Sequence, residues 1–194
     1  MKTPSLPRIA ALGAALLLSA CTTVTLAPAG AYPVGKGSQV TLNRAWSDFT
    51  PISGLKKVRL LSIDGPLLNR LYLSEGLTSG DYIVQPANRR EATTPVYDAS
   101  MSINEQVEFI ANSVTALGYQ RVTTSGLRPV TISGVRGVRF DIEAATEEGL
   151  VIRGLGQAVR NGDALHVGIY LAPGEHYFAE SLPAAEAAMD TLSF

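Results

Sequence analysis

The sequence predicts an α+β fold, an antiparallel β-sheet meander flanked by helices. Three observations predict it. Residues 102–118 carry a helix start signal, apolar residues at helical spacing and a stop signal. Two tight-turn signals, Glu147-Glu148-Gly149 and Asn161-Gly162, then separate three strand-length segments rich in aliphatic residues. Residues 183–192 give a second, shorter helix with proline in its first turn.

The chain opens on Lys2 and Arg8, followed by an apolar run at 9–18 and then by Leu18-Ser19-Ala20-Cys21. A run of that length suits a signal-peptide core of roughly 7–15 residues and is too short to span a bilayer, which takes about 20. The four residues resemble a lipobox, in which a cysteine after small residues is acylated and becomes the first residue. The competing reading is an ordinary signal peptide with a chance cysteine, but Cys21 is the single cysteine of the chain. Thr22 follows it; by resemblance to enterobacterial sorting rules, a residue other than Asp there favours the outer membrane. The expected partition is a lipoprotein signal peptide at 1–20, a lipid-anchored flexible tether at 21–38 and one α+β domain at 39–194. The tether reading rests on the Thr, Ala, Pro and Gly of 22–38. As a coil of about 16 residues it would reach roughly 20–25 Å.

Acylation of Cys21 leaves no disulfide, thiolate nucleophile or cysteine metal site. Loss of Lys2 and Arg8 leaves 14 basic against 17 acidic residues, a formal charge of -3. That balance is not the basic footprint of a nucleic-acid binder.

The domain reads first as short strands. Residues 39–43 point Val40 and Leu42 inward, and 58–63 and 67–73 flank the hairpin signal Asp64-Gly65. Tyr82, Ile83 and Val84 suggest a strand, and 86–90 a loop. Ser102 and Glu105 then form a capping-box pair. Ile103, Val107, Ile110, Val114 and Leu117 make an apolar stripe, and Gly118 ends the helix. The meander follows as strands at 120–124, 129–133, 138–145, 151–160 and 164–172.

Turn chemistry sets the expected register. Asn161-Gly162 as a two-residue type I′ turn puts Arg160 opposite Asp163, Gly156 opposite Val167 and Gly154 opposite Ile169. The three-residue loop 147–149 pairs Thr146 with Leu150, Phe140 with Gly156 and Ile142 with Gly154. One face collects Val138, Phe140, Ile142, Ile152, Ala158, Leu165, Val167, Ile169 and Leu171. The other carries Arg139, Asp141, Glu143, Arg153, Gln157, His166 and Tyr170, with Leu155 and Val159 among them. A one-residue slip would mix the two sets.

With these elements placed, residues 102–194 resemble the PsbP-like superfamily, whose members include an extrinsic photosystem protein, a Ran-binding nuclear import factor and small bacterial lipoproteins. The resemblance is carried by the helix ending Leu117-Gly118-Tyr119 and by the stretch from Val130 through Gly134 to Arg139. The two long strands around Asn161-Gly162, Tyr170, Ala172-Pro173, Phe178 and a last helix ending Ser193-Phe194 complete it. It implies an α/β/α sandwich and action by binding partners rather than by catalysis, and carries over no functional residue.

Few residues carry a chemical motif. Gly154-Leu155-Gly156 begins like a dinucleotide fingerprint, but Val159 stands where the third glycine belongs and the stretch lies within a strand. Packing glycines are the better reading. Glu175 and His176 are two adjacent metal-ligand types without a third, and no cofactor or metal is expected. The polar sheet face reads either as a solvated surface with cross-strand pairs such as Glu143–Arg153, or as a binding face. In the second reading Arg139, Arg153, His166 and Tyr170 supply donors and an aromatic edge. Arg136 and Arg139 flank a turn at 134–137 and would extend that face toward acidic groups. Lys56-Lys57 reads as a solvated strand entry. The expectation is a non-enzymatic periplasmic lipoprotein, held in the membrane by acyl chains on Cys21, that binds an envelope protein or small ligand. A structural lipoprotein without ligand and an unrecognised enzyme are the alternatives.

Overall fold

The structure, a computed structural model, describes residues 23–85 and 93–194. Cys21 and the signal segment lie outside the described residues, as does the expected loop at 86–90.

Strands form well before residue 39. Thr25–Ala27 (β1) and Gly30–Gly35 (β2) lie within the segment expected to be a tether, Ser38–Leu42 (β3) and Trp46–Asp48 (β4) follow, and the domain boundary moves accordingly. The reason is an alternation hidden by small residues. Tyr32, Val34, Val40 and Leu42 point inward on a β2–β3 hairpin, with the exposed Ala31, Pro33, Gln39 and Thr41 between them. Lys36 and Gly37 turn the hairpin with positive φ. The buried Tyr32 hydroxyl donates to Asp48 at 2.7 Å, which ties the hairpin to β4.

A one-turn helix, Thr50–Ser53 (α1), leads to Val58–Ser62 (β5) and Arg70–Ser74 (β6), which pair antiparallel as the Asp64-Gly65 signal implied. The turn is longer than expected, and Leu67 projects into solvent. Asn69 organises it, accepting from Ser62 Oγ and Ile63 N and donating to Asp64. Tyr82, Ile83 and Val84 form no strand, although Ile83 and Val84 are buried. Their apolar character serves a coil that packs on the sheet.

Ile103–Ala116 (α2) has the capping box in both directions between Ser102 and Glu105. Val107, Ile110 and Val114 are buried with Phe109, whereas Ile103 is 58% exposed. As the first helical residue, Ile103 overhangs the sheet end instead of facing the core. The two strands expected at 120–124 and 129–133 are one strand, Gln120–Ile132 (β7), bent by register shifts at 120/123 and 125/128. Ser133 and Gly134, both with positive φ, turn it into Val135–Ala145 (β8), so the turn lies at 133–134 rather than across 134–137. Val151–Asn161 (β9) and Ala164–Pro173 (β10) follow.

The β8–β9 register is the expected one, with Phe140 opposite Gly156 and Ile142 opposite Gly154. The β9–β10 register differs by two residues: Asn161 pairs with Ala164, Gly156 with Ile169 and Gly154 with Leu171. The two turn residues are Gly162 (φ 59°) and Asp163 rather than Asn161 and Gly162. Glycine in the first central position is the arrangement of a type II′ turn. A two-residue shift preserves the side on which every side chain falls.

The last helix, Tyr177–Asp190 (α3), starts six residues before the expected one, with Pro183 in its interior. The carbonyl that a residue-183 N–H would bond belongs to Ala179, which is exposed and open to water. Burial of Ser181, Ala184, Ala185, Ala188 and Met189 holds the helix through the proline.

Eight strands form one antiparallel sheet in the order β1-β4-β5-β6-β10-β9-β8-β7, with β2–β3 as a separate pair. The aliphatic face from Val138 to Leu171 packs under α2 and the coil bearing Leu77, Ile83, Val84 and Tyr97. The opposite face packs under α3 and the β2–β3 hairpin. Gly156 is a packing glycine: a Cβ there would lie 2.4 Å from the Phe140 ring.

Candidate functional site

The sheet face expected to be polar and open is largely a second core. Leu155, Val159 and Tyr170 of this face are buried with Leu71, Leu73, Ala185, Ala188 and Met189. Three of the four candidate binding residues are therefore not surface groups. Tyr170 is fully buried; its hydroxyl donates to the Tyr177 carbonyl at 3.1 Å, its ring stacks near Phe178, and desolvation raises its pKa. His166 is 4% exposed and stacks on Phe194 with ring centroids 3.9 Å apart. Its Nδ1 has no hydrogen-bond partner, and burial pushes its pKa down to about 4. Arg139 lies beneath the end of α3, with Nε donating to Gln157 Oε1 at 3.2 Å and Nη2 to Asp190 at 2.6 Å.

One sequence signal pointed to this cover. Gly168 sits between His166 and Tyr170 on the same face, and a Cβ there would meet Met189 Cε at 2.9 Å. A glycine between two long side chains on a strand marks close approach of another element.

Arg153 alone of the four remains exposed, and it stands at an opening. Past α3, the outer strands leave a cleft of about 350 Å³. Phe178, Leu182 and Glu186, four residues apart, form its helical wall. Arg153 and Leu155 of β9, with Asp141 and Glu143 of β8, form the floor, and Ser125 and Arg128 of β7 the far rim. The β7 bulge shapes that rim. Gly126, with φ 60°, leaves room for Asp141, whose carboxylate would lie 2.4 Å from a Cβ there. Arg128 Nη1 bonds the Gly126 carbonyl at 2.9 Å and the Asp141 carboxylate at 3.0 Å. Among the described residues Glu143, Arg153 and Glu186 have no ion-pair partner, although Glu143 and Arg153 are in register. The cleft thus offers an apolar wall and free charges of both signs.

The remaining candidates do not join it. His176 stands at the start of α3, edge-on to Tyr177. Among the described residues no three His, Cys, Asp or Glu side chains gather as a metal site. Lys57 pairs with Asp81. Gly154 and Gly156 lie inside β9, where they accommodate Leu171 and Phe140.

No family model matches the chain, and no curated protein does. Solved structures do. Cyanobacterial PsbP (CyanoP) from Synechocystis sp. PCC 6803 superposes with a TM-score of 0.54 at 8% identity, over 97% of this chain and 98% of that one. PA94, a protein of unknown function from Pseudomonas aeruginosa, gives 0.45 at 13% identity over 87% and 98%. LpqN, involved in cell envelope biogenesis of Mycobacterium tuberculosis, gives 0.35 at 11% over 91% and 88%. The first of these shows the fold, which is PsbP-like, as the sequence resemblance implied.

Proposed function

We propose that this PsbP-like domain is a lipid-anchored envelope protein that binds rather than catalyses, taking a partner protein or small ligand in the cleft between α3 and β7–β9. The observation that carries the reading is the cleft itself. Phe178 and Leu182 supply apolar contact, and Arg153, Glu143 and Glu186 supply charge not committed to an ion pair among the described residues. Ligand sites combine an apolar lining with a few polar groups that fix orientation in this way. Its 350 Å³ suits a small ligand or a single anchoring side chain of a partner.

The setting of His166 supports binding over catalysis. A general base needs a partner that orients it and a nucleophile within hydrogen-bond reach. His166 instead stacks on Phe194, buried and neutral, with Nδ1 unpartnered. The anchor follows from the lipobox resemblance at Cys21. Because β1 begins at Thr25, only four residue steps separate it from Cys21. Fully extended they span at most about 14 Å, which would hold the domain against an envelope membrane. The residue after Cys21 favours the outer one.

Mass spectrometry of the mature N-terminus tests the anchor, with acylated Cys21 expected; an unmodified N-terminus or a different cleavage point would overturn it. For the cleft, Arg153→Glu combined with Glu186→Lys should abolish capture of crosslinked partners at an unchanged melting temperature. An unchanged set of captured species would discard it.

A further inference from the structure

We propose that a second groove, between the start of α2 and the far ends of β7–β9, binds the carboxylate or phosphate head of an aliphatic ligand through Arg136 and Arg160. This site is separate from the α3 cleft, on the opposite face of the sheet.

The strand register places the two arginines. Gly137 pairs with Val159, so one step further along the ladder sets Arg136 against Arg160. Both fall on the α2 side, because Val138 and Ala158, two residues inward on each strand, belong to the core beneath α2. Like charges directly opposite each other on a sheet destabilise it. A bound anion would turn that repulsion into attraction. Arg160 is held in place by Nη1, which donates to the carbonyls of Ala99 at 2.9 Å and Met101 at 3.3 Å. Among the described residues the Arg136 side chain has no hydrogen-bond or ion-pair partner.

Apart from Gln106, whose Nε2 donates to the Met101 carbonyl at 3.0 Å, the rest of the groove is apolar. Pro129, Val138 and Ala158 lie in line across three strands as its floor, and Ile103 overhangs it from α2. The cavity is about 290 Å³, near the lower end for ligand pockets. No carboxylate lines it. Glu105 is committed to the Ser102 backbone N–H at 2.7 Å, and Asp98 to Ser100. The exposure of Ile103, unexplained by the core, fits an aliphatic chain lying along the floor with its charged end between the arginines.

The test uses the full chain with Cys21→Ser, which cannot be acylated, and calorimetry with decanoate, decyl phosphate and decyltrimethylammonium below their micelle concentrations. Saturable binding of both anions, none of the cation, and at least a tenfold loss in Arg136→Gln at an unchanged melting curve is the expected result. Vesicles of phosphatidylglycerol and of phosphatidylcholine distinguish the source. Arg136-dependent sedimentation with the anionic vesicles alone assigns the head to a bilayer lipid; decanoate binding without it assigns a free amphiphile. Equal binding of anion and cation, no binding by either route, or loss in Arg153→Glu but not in Arg136→Gln would overturn the proposal.

Discussion

Replacing Gly156 by alanine puts a methyl carbon where Phe140 already stands. The new Cβ would lie 2.4 Å from two carbons of the ring, whereas carbon contacts settle at about 3.5–4.0 Å. The ring must retreat by more than about 1 Å, and Phe140 is fully buried with neighbours on every side. Overpacking of this kind costs about 1–3 kcal/mol. In a domain of this size each kcal/mol is worth about 2–4 °C, so the melting temperature should fall by about 2–12 °C. Urea and thermal melts of the single variants and of Gly156→Ala with Phe140→Leu give the coupling. In the smaller-side-chain background the added methyl fills space, and its cost should fall below about 0.5 kcal/mol. A Gly156→Ala protein that melts like the wild type, or equal costs in both backgrounds, would refute the β8–β9 register.

Ile110→Ala should cost about 2–5 kcal/mol, because Ile110 is fully buried, while Ile103→Ala should stay within about 0.5 kcal/mol in the same urea melts. Ser102→Ala removes the side-chain half of the capping box and should cost about 1 kcal/mol, read from the urea midpoint. His166 is buried neutral, with its folded pKa lowered by desolvation to about 4. Its contribution is therefore fully present above the unfolded value near 6.5 and is lost as pH falls from there toward 4. His166→Phe should flatten the decline of melting temperature between pH 7 and 4.5; an unchanged decline would assign it to other groups.

The sheet faces and α2 were legible because their signals are local. Val138, Phe140 and Ile142 alternate strictly, and Ser102 with Glu105 satisfy each other across one turn. What the sequence hid depended on contact between distant segments. The β2–β3 hairpin reads as a linker because Ala, Pro and Gly dilute its alternation, yet Tyr32 reaches Asp48 and Arg59 Nε bonds the Val34 carbonyl. The first turns of α3 were lost to Pro183, a starting residue by propensity, whose missing hydrogen bond here falls on an exposed carbonyl. That shortened helix made the sheet face look open. With α3 at full length, Arg139, His166 and Tyr170 pass into the interior, and only Arg153 with its carboxylate neighbours marks where the face remains accessible. The Tyr170→Ala change that a surface reading would suggest as a binding test would instead empty a buried site.

The proposed cleft is tested most directly by photo-crosslinking in intact cells, with a photoreactive residue placed in turn at Leu182, at Glu186 and at Glu108. The first two stand on the cleft wall and the third on the exposed side of α2, across the sheet. Positions 182 and 186 should give one common adduct and position 108 none, and the adduct should disappear when Arg153→Glu is added. Adducts of equal strength from all three positions, or an adduct at 182 indifferent to Arg153→Glu, would contradict the proposed cleft.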